Sequence, residues 1–509
     1  MEELRDMAGI ISKYRLKKIE IINNSLPQSA RTGKPSKKAR QSRDSKAYHG
    51  LIDEGFTNDE EMAAYLGYKD TKGAFAIFKH RLSLKLQNGM FFIDVMLSWY
   101  YNAEYRCSRL RHLVFMLFLY GRRNAAVHFT NKMLAIAEEY NLAEQKLFCY
   151  KRLRAHFSYI GNDALYQKYS GLYNDTLEQM VMEDQAEDFM NRINVQYAPT
   201  IVRKPETAIE AIGYADETAG FLKKHDTPLL QYYEHKLRGF GHQINGEYEK
   251  SNGIWREWEK YLQTHPLFSG DKRLGEVAVY QMDNYTYMFQ YDEAKKYAMT
   301  CMERFREDST NRLIFYENYF LLAMRSGDYI NAREIYKLAT GNKRLLAMSA
   351  THQEKWRIFE AYLYFAEKGK GNKFDLEGMA KSIHVYKADK AGFNIAMLIV
   401  QISILIMTEP EPPIDKMDAL RLYKKRYLKT DTSYRVNVFM DLLFALDKAG
   451  YTPAAMKETE TVLLKKLKGK PMAHTENIEG LEVIPFEQLW RMIIENLQNI
   501  REVLSEIDF

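Results

Sequence analysis

Apolar residues recur every three to four positions along most of this chain, the spacing that gathers them on one face of an α-helix. Between Glu3 and Asn23 the stripe consists of Met7, Ile10, Ile11, Tyr14, Ile19 and Ile22. Ser45 to Val95 predicts a compact helical unit. Its second helix starts at Thr57, whose hydroxyl caps it while Glu60 completes a capping box, and Gly67 stops it. From about Met96 the predicted helices lengthen. Leu97–Tyr120 and Ala125–Tyr140 flank Gly121-Arg122-Arg123-Asn124, and Phe148–Ile160 and Ala164–Met182 flank Gly161-Asn162-Asp163. Almost no alternating apolar and polar runs occur, and Pro is scarce at 12, so the expected class is all-α.

The best-formed pair runs from Tyr316 to Gly341, YENYFLLAMRSGDYINAREIYKLATG. Gly327-Asp328-Tyr329 makes its turn, because Gly accepts the reversing backbone angles and Asp caps the second helix. Ala332, Tyr336 and Ala339 follow at helical spacing, and the small Ala332 allows close approach. Similar turns occur at Gly246-Glu247-Tyr248 and Tyr291-Asp292-Glu293-Ala294, although Ser251 replaces the small Ala of one and Phe289 the turn Gly of the other. The turn tyrosines at 248, 291 and 329 are 43 and 38 residues apart, longer than the ~34 of the standard repeat. In these features the chain resembles the tetratricopeptide-repeat (TPR) superfamily, most clearly over 230–341. The resemblance implies a right-handed superhelical solenoid of TPR-like helical hairpins over 97–345. Such stacks form binding grooves rather than active sites. The implied role is a non-enzymatic scaffold or adaptor holding a peptide or partner helix, through Tyr232, His235, Arg238, Tyr285, Tyr287, Asn318 and Tyr319 on the first helix of each pair.

Helices continue through Trp356–Glu367, Leu376–Lys387, Asn394–Met407, Asp415–Lys429, Val436–Gly450, Pro453–Leu467 and Phe486–Ser505. Three prolines within Pro410-Glu411-Pro412-Pro413 force a loop before Asp415. Residues 346–509 are therefore expected to continue the array, with the last helix as its cap. Phe393–Met407 is the one long apolar run. At 15 residues it falls short of the roughly 18–20 that span a bilayer, so it predicts a helix buried on all sides and no membrane span.

Charge adds a second possibility. Arg31, Lys34, Lys37, Lys38, Arg40, Arg43 and Lys46 face one acid, Asp44, so this arm carries the chain's whole net charge of +6. With no apolar periodicity, 25–45 reads as a flexible linker between the opening helix, 1–24, and the small unit, 46–96. Solvated linkers of this kind are common, but a basic arm also attracts phosphates by counterion release. Asp59–Leu86 has the outline of a degenerate helix-turn-helix, with Met62, Ala63, Leu66 and Gly67 at packing and turn positions. Its second helix, beginning near Thr71, would present Lys72, Lys79, His80 and Arg81. A docked helical bundle is the commoner meaning of so loose a match; the alternative is a nucleic-acid-associated regulator whose solenoid senses a partner.

No motif points to catalysis. P-loop, dinucleotide, HExxH, calcium-loop and GxSxG patterns are absent from the sequence, so no catalytic residue, metal site or cofactor is expected. Gly369-Lys370-Gly371-Asn372-Lys373 lacks a following Ser or Thr and reads as a turn. His235 and His242 are seven apart, whereas metal pairs on helices sit three or four apart. Cys107, Cys149 and Cys301 are widely separated, which suits a reducing compartment. The acidic start MEELRDMAGI does not resemble a secretory signal, so a cytoplasmic location is expected.

Overall fold

The computed structural model describes residues 2–13, 43–56, 58–90, 93, 99–197, 205–307, 309–348, 350–369, 374–376, 378, 393–409, 411–427, 434–470 and 482–507. Among these residues all regular structure is helical, and the chain forms two compact units, 1–137 and 138–509. The division falls in the last turn of a helix. Expected helices between 97 and 137 thus belong with the amino-terminal ones.

The first unit contains α1 (Glu2–Lys13), α2 (Arg43–Asp53), α3 (Asp59–Leu66), α4 (Ala74–Met90), α5 (Trp99–Leu119) and most of α6 (Arg123–Glu139). α1 packs on α2 and α4, joining Leu4, Ala8 and Ile11 to Leu51, Met62, Phe75, Phe78 and Leu82 in one core. Residues 14–23 and 25–42, including Arg31, Lys34, Lys37, Lys38 and Arg40, lie outside the described residues, as does Thr57. Arg43 and Lys46 do not belong to a linker. They open α2, where Arg43 lies 5.1 Å from the Tyr68 ring centroid and Lys46 Nζ donates to the Tyr65 carbonyl at 2.7 Å. α3 is capped by Asn58. Its Oδ1 accepts from Glu61 N at 2.9 Å and its amide donates to the Glu61 carboxylate at 3.0 Å, one register later than the Thr57–Glu60 box. Gly67 ends α3 as expected, at φ 77°. The next helix begins at Ala74 rather than Thr71, because Asp70 Oδ1 accepts from Lys72 N and Gly73 is left-handed, a turn rather than a helix start.

In the second unit, α7 (Ala143–Tyr159), α8 (Asp163–Tyr197), α9 (Pro205–Leu222), α10 (Pro228–Ile244), α11 (Tyr248–Thr264), α12 (Asp271–Tyr287), α13 (Tyr291–Arg304), α14 (Thr310–Arg325) and α15 (Tyr329–Thr340) each pack on the next. α8 also touches α10, and α12 touches α14, the next-but-one packing of stacked pairs. α8 is 35 residues long and runs well past Met182. The turns share one chemistry. Gly327 N donates to Met324 O and Asp328 N to Ala323 O, a Schellman closure, and the Asp328 side chain then caps α15 through Asn331 N. Phe289 closes α12 in the same way at φ 59°, where a side chain costs roughly 1–2 kcal/mol. Ser251 stays small but uses its hydroxyl. It donates to the Gly239 carbonyl at 2.8 Å and accepts from Trp255 Nε1 at 3.1 Å and Asn284 Nδ2 at 3.0 Å. Close approach is strict here: a Cβ at Gly239 would lie 2.8 Å from the Trp255 ring.

A 3₁₀ turn (Lys343–Ala347) leads to α16 (Ala350–Ala366), and α17 (Phe393–Thr408), α18 (Ile414–Tyr427), α19 (Tyr434–Lys448), α20 (Lys457–Gly469) and α21 (Phe486–Ile507) follow. Most of Leu376–Lys387 lies outside the described residues. α17 is buried nearly all round, through Ile395, Ile399, Val400, Ile402 and Ile404. No helix among the described residues is long and apolar enough to cross a membrane. α21 does more than close an end. It packs on α17, α19 and α20, and Gln488 Nε2 reaches back to the Tyr329 hydroxyl at 2.8 Å. One apolar core therefore runs from Ala278 on α12 to Leu497 on α21.

Arg435 fixes this return. It is 4% exposed, and its guanidinium donates to both oxygens of Glu482 (3.1 and 2.6 Å), both of Glu487 (3.0 and 2.7 Å), and the carbonyls of Leu467 and Lys470 at 2.8 and 2.7 Å. Glu482 also accepts from Phe486 N at 2.9 Å, at the start of α21, and its carbonyl accepts from Arg325 Nε at 3.1 Å. Removing one partner of such a buried set strands the other, at a cost of roughly 3–5 kcal/mol. Arg435→Met should lower the urea midpoint of the second unit accordingly, whereas Arg421→Met, which removes an exposed cation bonded to Asp418 and Asp447, should cost under about 1 kcal/mol. Equal losses would show that the buried cluster has no special role.

Candidate interaction surface

The first helices of the pairs, α10, α12, α14 and α16, are joined by polar side chains. Tyr232 and Lys236 are one turn apart on α10, so both face α12. Lys236 Nζ donates to Glu276 at 2.5 Å and to the Tyr232 hydroxyl at 2.8 Å, and that hydroxyl donates to Glu276 Oε2 at 3.1 Å. Burial lowers the Lys236 ammonium's affinity for its proton, but Glu276 more than reverses this and holds its pKa well above the ordinary value. Burial also raises the Tyr232 phenol. Two turns beyond Glu276, Asp283 accepts from Asn318 Nδ2 on α14 at 3.1 Å. Beside Asn318, the buried Glu317 receives His352 Nδ1 at 2.5 Å and Lys355 Nζ at 2.9 Å from α16. These rungs tie each first helix to the next.

Only Tyr232 and Asn318 of the seven expected contact residues stand in this ladder. His235 Nδ1 lies 2.8 Å from the Gln231 carbonyl and 3.2 Å from Glu234, with its ring against Trp258. Arg238 donates to Glu234 at 2.5 Å and to Asp216 of α9 at 2.9 Å. Both turn towards neighbours other than α12. Tyr285 stacks on Tyr297, and Tyr319 stacks on Phe315 and accepts from Asn331. Tyr287 corrects the expectation outright: it is 6% exposed, stacked on Tyr248 beneath Arg325, and offers no face to a partner. Sequence reasoning missed Lys236, Glu276, Asp283, Glu317, His352 and Lys355. Their partners sit 35 to 44 residues away, about one repeat, and that spacing was the available signal.

For the nucleic-acid alternative, Lys79 is paired with Asp59 at 2.7 Å and Arg43 covers Tyr68, while Lys72 and Arg81 are exposed. No group of three or more His, Cys, Asp or Glu among the described residues could hold a metal. His242 lies 2.7 Å from Glu247, separate from His235. None of the three buried cysteines forms a disulfide, and burial raises the Cys107 thiol to about 11, so it is not a nucleophile at neutral pH. No protein-family model, curated protein or solved structure matches this chain.

The Glu317 cluster makes stability depend on pH. Burial raises this carboxyl, but Lys355 and His352 outweigh burial and leave it below the ordinary value. Its folded pKa is thus below the unfolded ~4.3, so the stabilisation is complete above that pH and is lost as pH falls through the folded value. Wild-type protein should lose stability more steeply than Glu317→Gln as pH is lowered from about 5, measured by urea unfolding. Parallel curves would exclude this carboxylate as a source of the acid sensitivity.

Proposed function

We propose that this chain is a non-enzymatic scaffold or adaptor, a TPR-like superhelical array that holds a peptide or a partner's helix along its first-helix row. The observation carrying this reading is the ladder itself: Tyr232, Lys236 and Glu276, then Asp283 and Asn318, recur on α10, α12 and α14 one repeat apart. Amide, phenol and paired charges at regular intervals suit the groups of an extended backbone without demanding one sequence. Lys236 and Glu276 neutralise one another, so binding would depend on shape and hydrogen bonding more than net charge. A reducing cytoplasmic setting fits three buried cysteines with no disulfide among them. The test is hydrogen exchange on the complex copurified from the native cell. Slowed exchange in 228–244, 271–287 and 310–325 is the expected result; protection confined to other helices would refute the assignment.

A charge asymmetry supports a second reading. Residues 1–137 carry a net +10 and 138–509 a net −4, so the basic character resides in the unit that holds the arm. In this reading the first unit contacts nucleic-acid backbone while the second senses a partner. Affinity for duplex DNA should then fall steeply with salt, and deleting 25–42 should flatten that slope. Binding that is absent, or indifferent to salt, would eliminate this reading.

A further inference from the structure

A cleft of about 270 Å³ opens where the start of α14, the 3₁₀ turn and the first turn of α16 meet, lined by Thr310, Ile314, Arg344, Ala347, Met348 and His352. Two features make it electropositive. Thr310 is the first residue of α14, and His352 stands in the first turn of α16, so two helix amino-terminal ends converge with amides lacking partners within their own helix. Arg344 is exposed, and among the described residues its guanidinium has no hydrogen-bond or ion-pair partner; only its backbone N–H is bonded, to Asn342 Oδ1 at 3.0 Å. His352 lines the cleft with its Nδ1 held 2.5 Å from the buried Glu317 carboxylate. Glu317 is itself compensated by Lys355, so it does not cancel the positive field.

We propose that this cleft binds an oxyanion, a phosphate or carboxylate group, carried on a short apolar body. Arg344 would take two of the oxygens in its planar fork, the usual geometry of guanidinium with carboxylate or phosphate. The helix-end amides would take the remainder. Ile314, Ala347 and Met348 supply the apolar side. The volume lies just below the ~300 Å³ at which pockets begin to enclose whole small ligands, so the cleft suits an end group rather than an entire ligand. The cleft shares His352 with the last rung of the ladder, but Arg344 and the helix ends belong to no rung, so the inference does not require the proposed groove.

Phenyl phosphate and benzoate titrated into the full chain, followed by calorimetry, test the assignment, with benzylamine as the cationic counterpart. Saturable binding of at least one anion, and none of benzylamine, is expected; which anion binds tighter identifies the preferred group. Arg344→Ala should weaken binding roughly tenfold or more. Ala347→Trp, which fills the cleft without removing charge, should do likewise. Both positions are exposed, so thermal unfolding should confirm that the variants fold. No saturable binding of either anion, or equal affinity in wild type and both variants, would overturn the proposal.

Discussion

The second unit depends on a cation placed where water cannot reach it. Arg435 lies among Phe439, Leu467 and Phe486 in an apolar interior, and a guanidinium there is tolerable only if every polar direction is answered. Two carboxylates and two helix-end carbonyls answer it. Those four acceptors come from α20, from the segment before α21, and from α21 itself, so the cation is satisfied in one arrangement of these elements. A buried ion cluster of this kind adds little net stability over an apolar replacement of matched shape, but it discriminates strongly against misregistered packing. The apolar core supplies the driving force, and Arg435 selects where α21 enters.

Much of this architecture was legible because local rules agreed. Gly67, Gly121, Gly161, Gly246 and Gly327 all adopt the left-handed conformation that ends a helix, and each turn was readable from its Gly. Phe289 and Asn141 occupy the same conformation without Gly; Phe289 was recognisable from the surrounding period, whereas Asn141 was not. Boundaries failed where side-chain hydrogen bonds decided them. Thr57 and Asn58 are both good caps, and the amide won because it could bond Glu61 in both directions. Arg43 was assigned to the linker, and Lys46 counted with its basic arm, because composition cannot register a cation stacked on Tyr68 or bonded to a carbonyl on the next helix.

The surface was less legible than the fold. A helix turns about 100° per residue, so naming the helix does not name the face, and Asn318 and Tyr319 point to different partners. The rungs join residues a repeat apart, but the repeat length drifts from 43 to 38, which hides the alignment in a linear reading. Arg325 and Glu482 are 157 residues apart in sequence and no periodicity links them.

The return of α21 carries a consequence for biosynthesis. Tyr329 precedes Gln488 by 159 residues, which at ordinary translation speeds means that the earlier segment waits roughly 10 to 30 s for its cover. For the later part of that interval, once residue 408 has been added, the isoleucine-rich α17 also lacks the helix that later lies on it. The nascent chain must therefore carry a sticky, half-closed body on the ribosome. That interval, rather than anything in the finished fold, is when it would most need a chaperone.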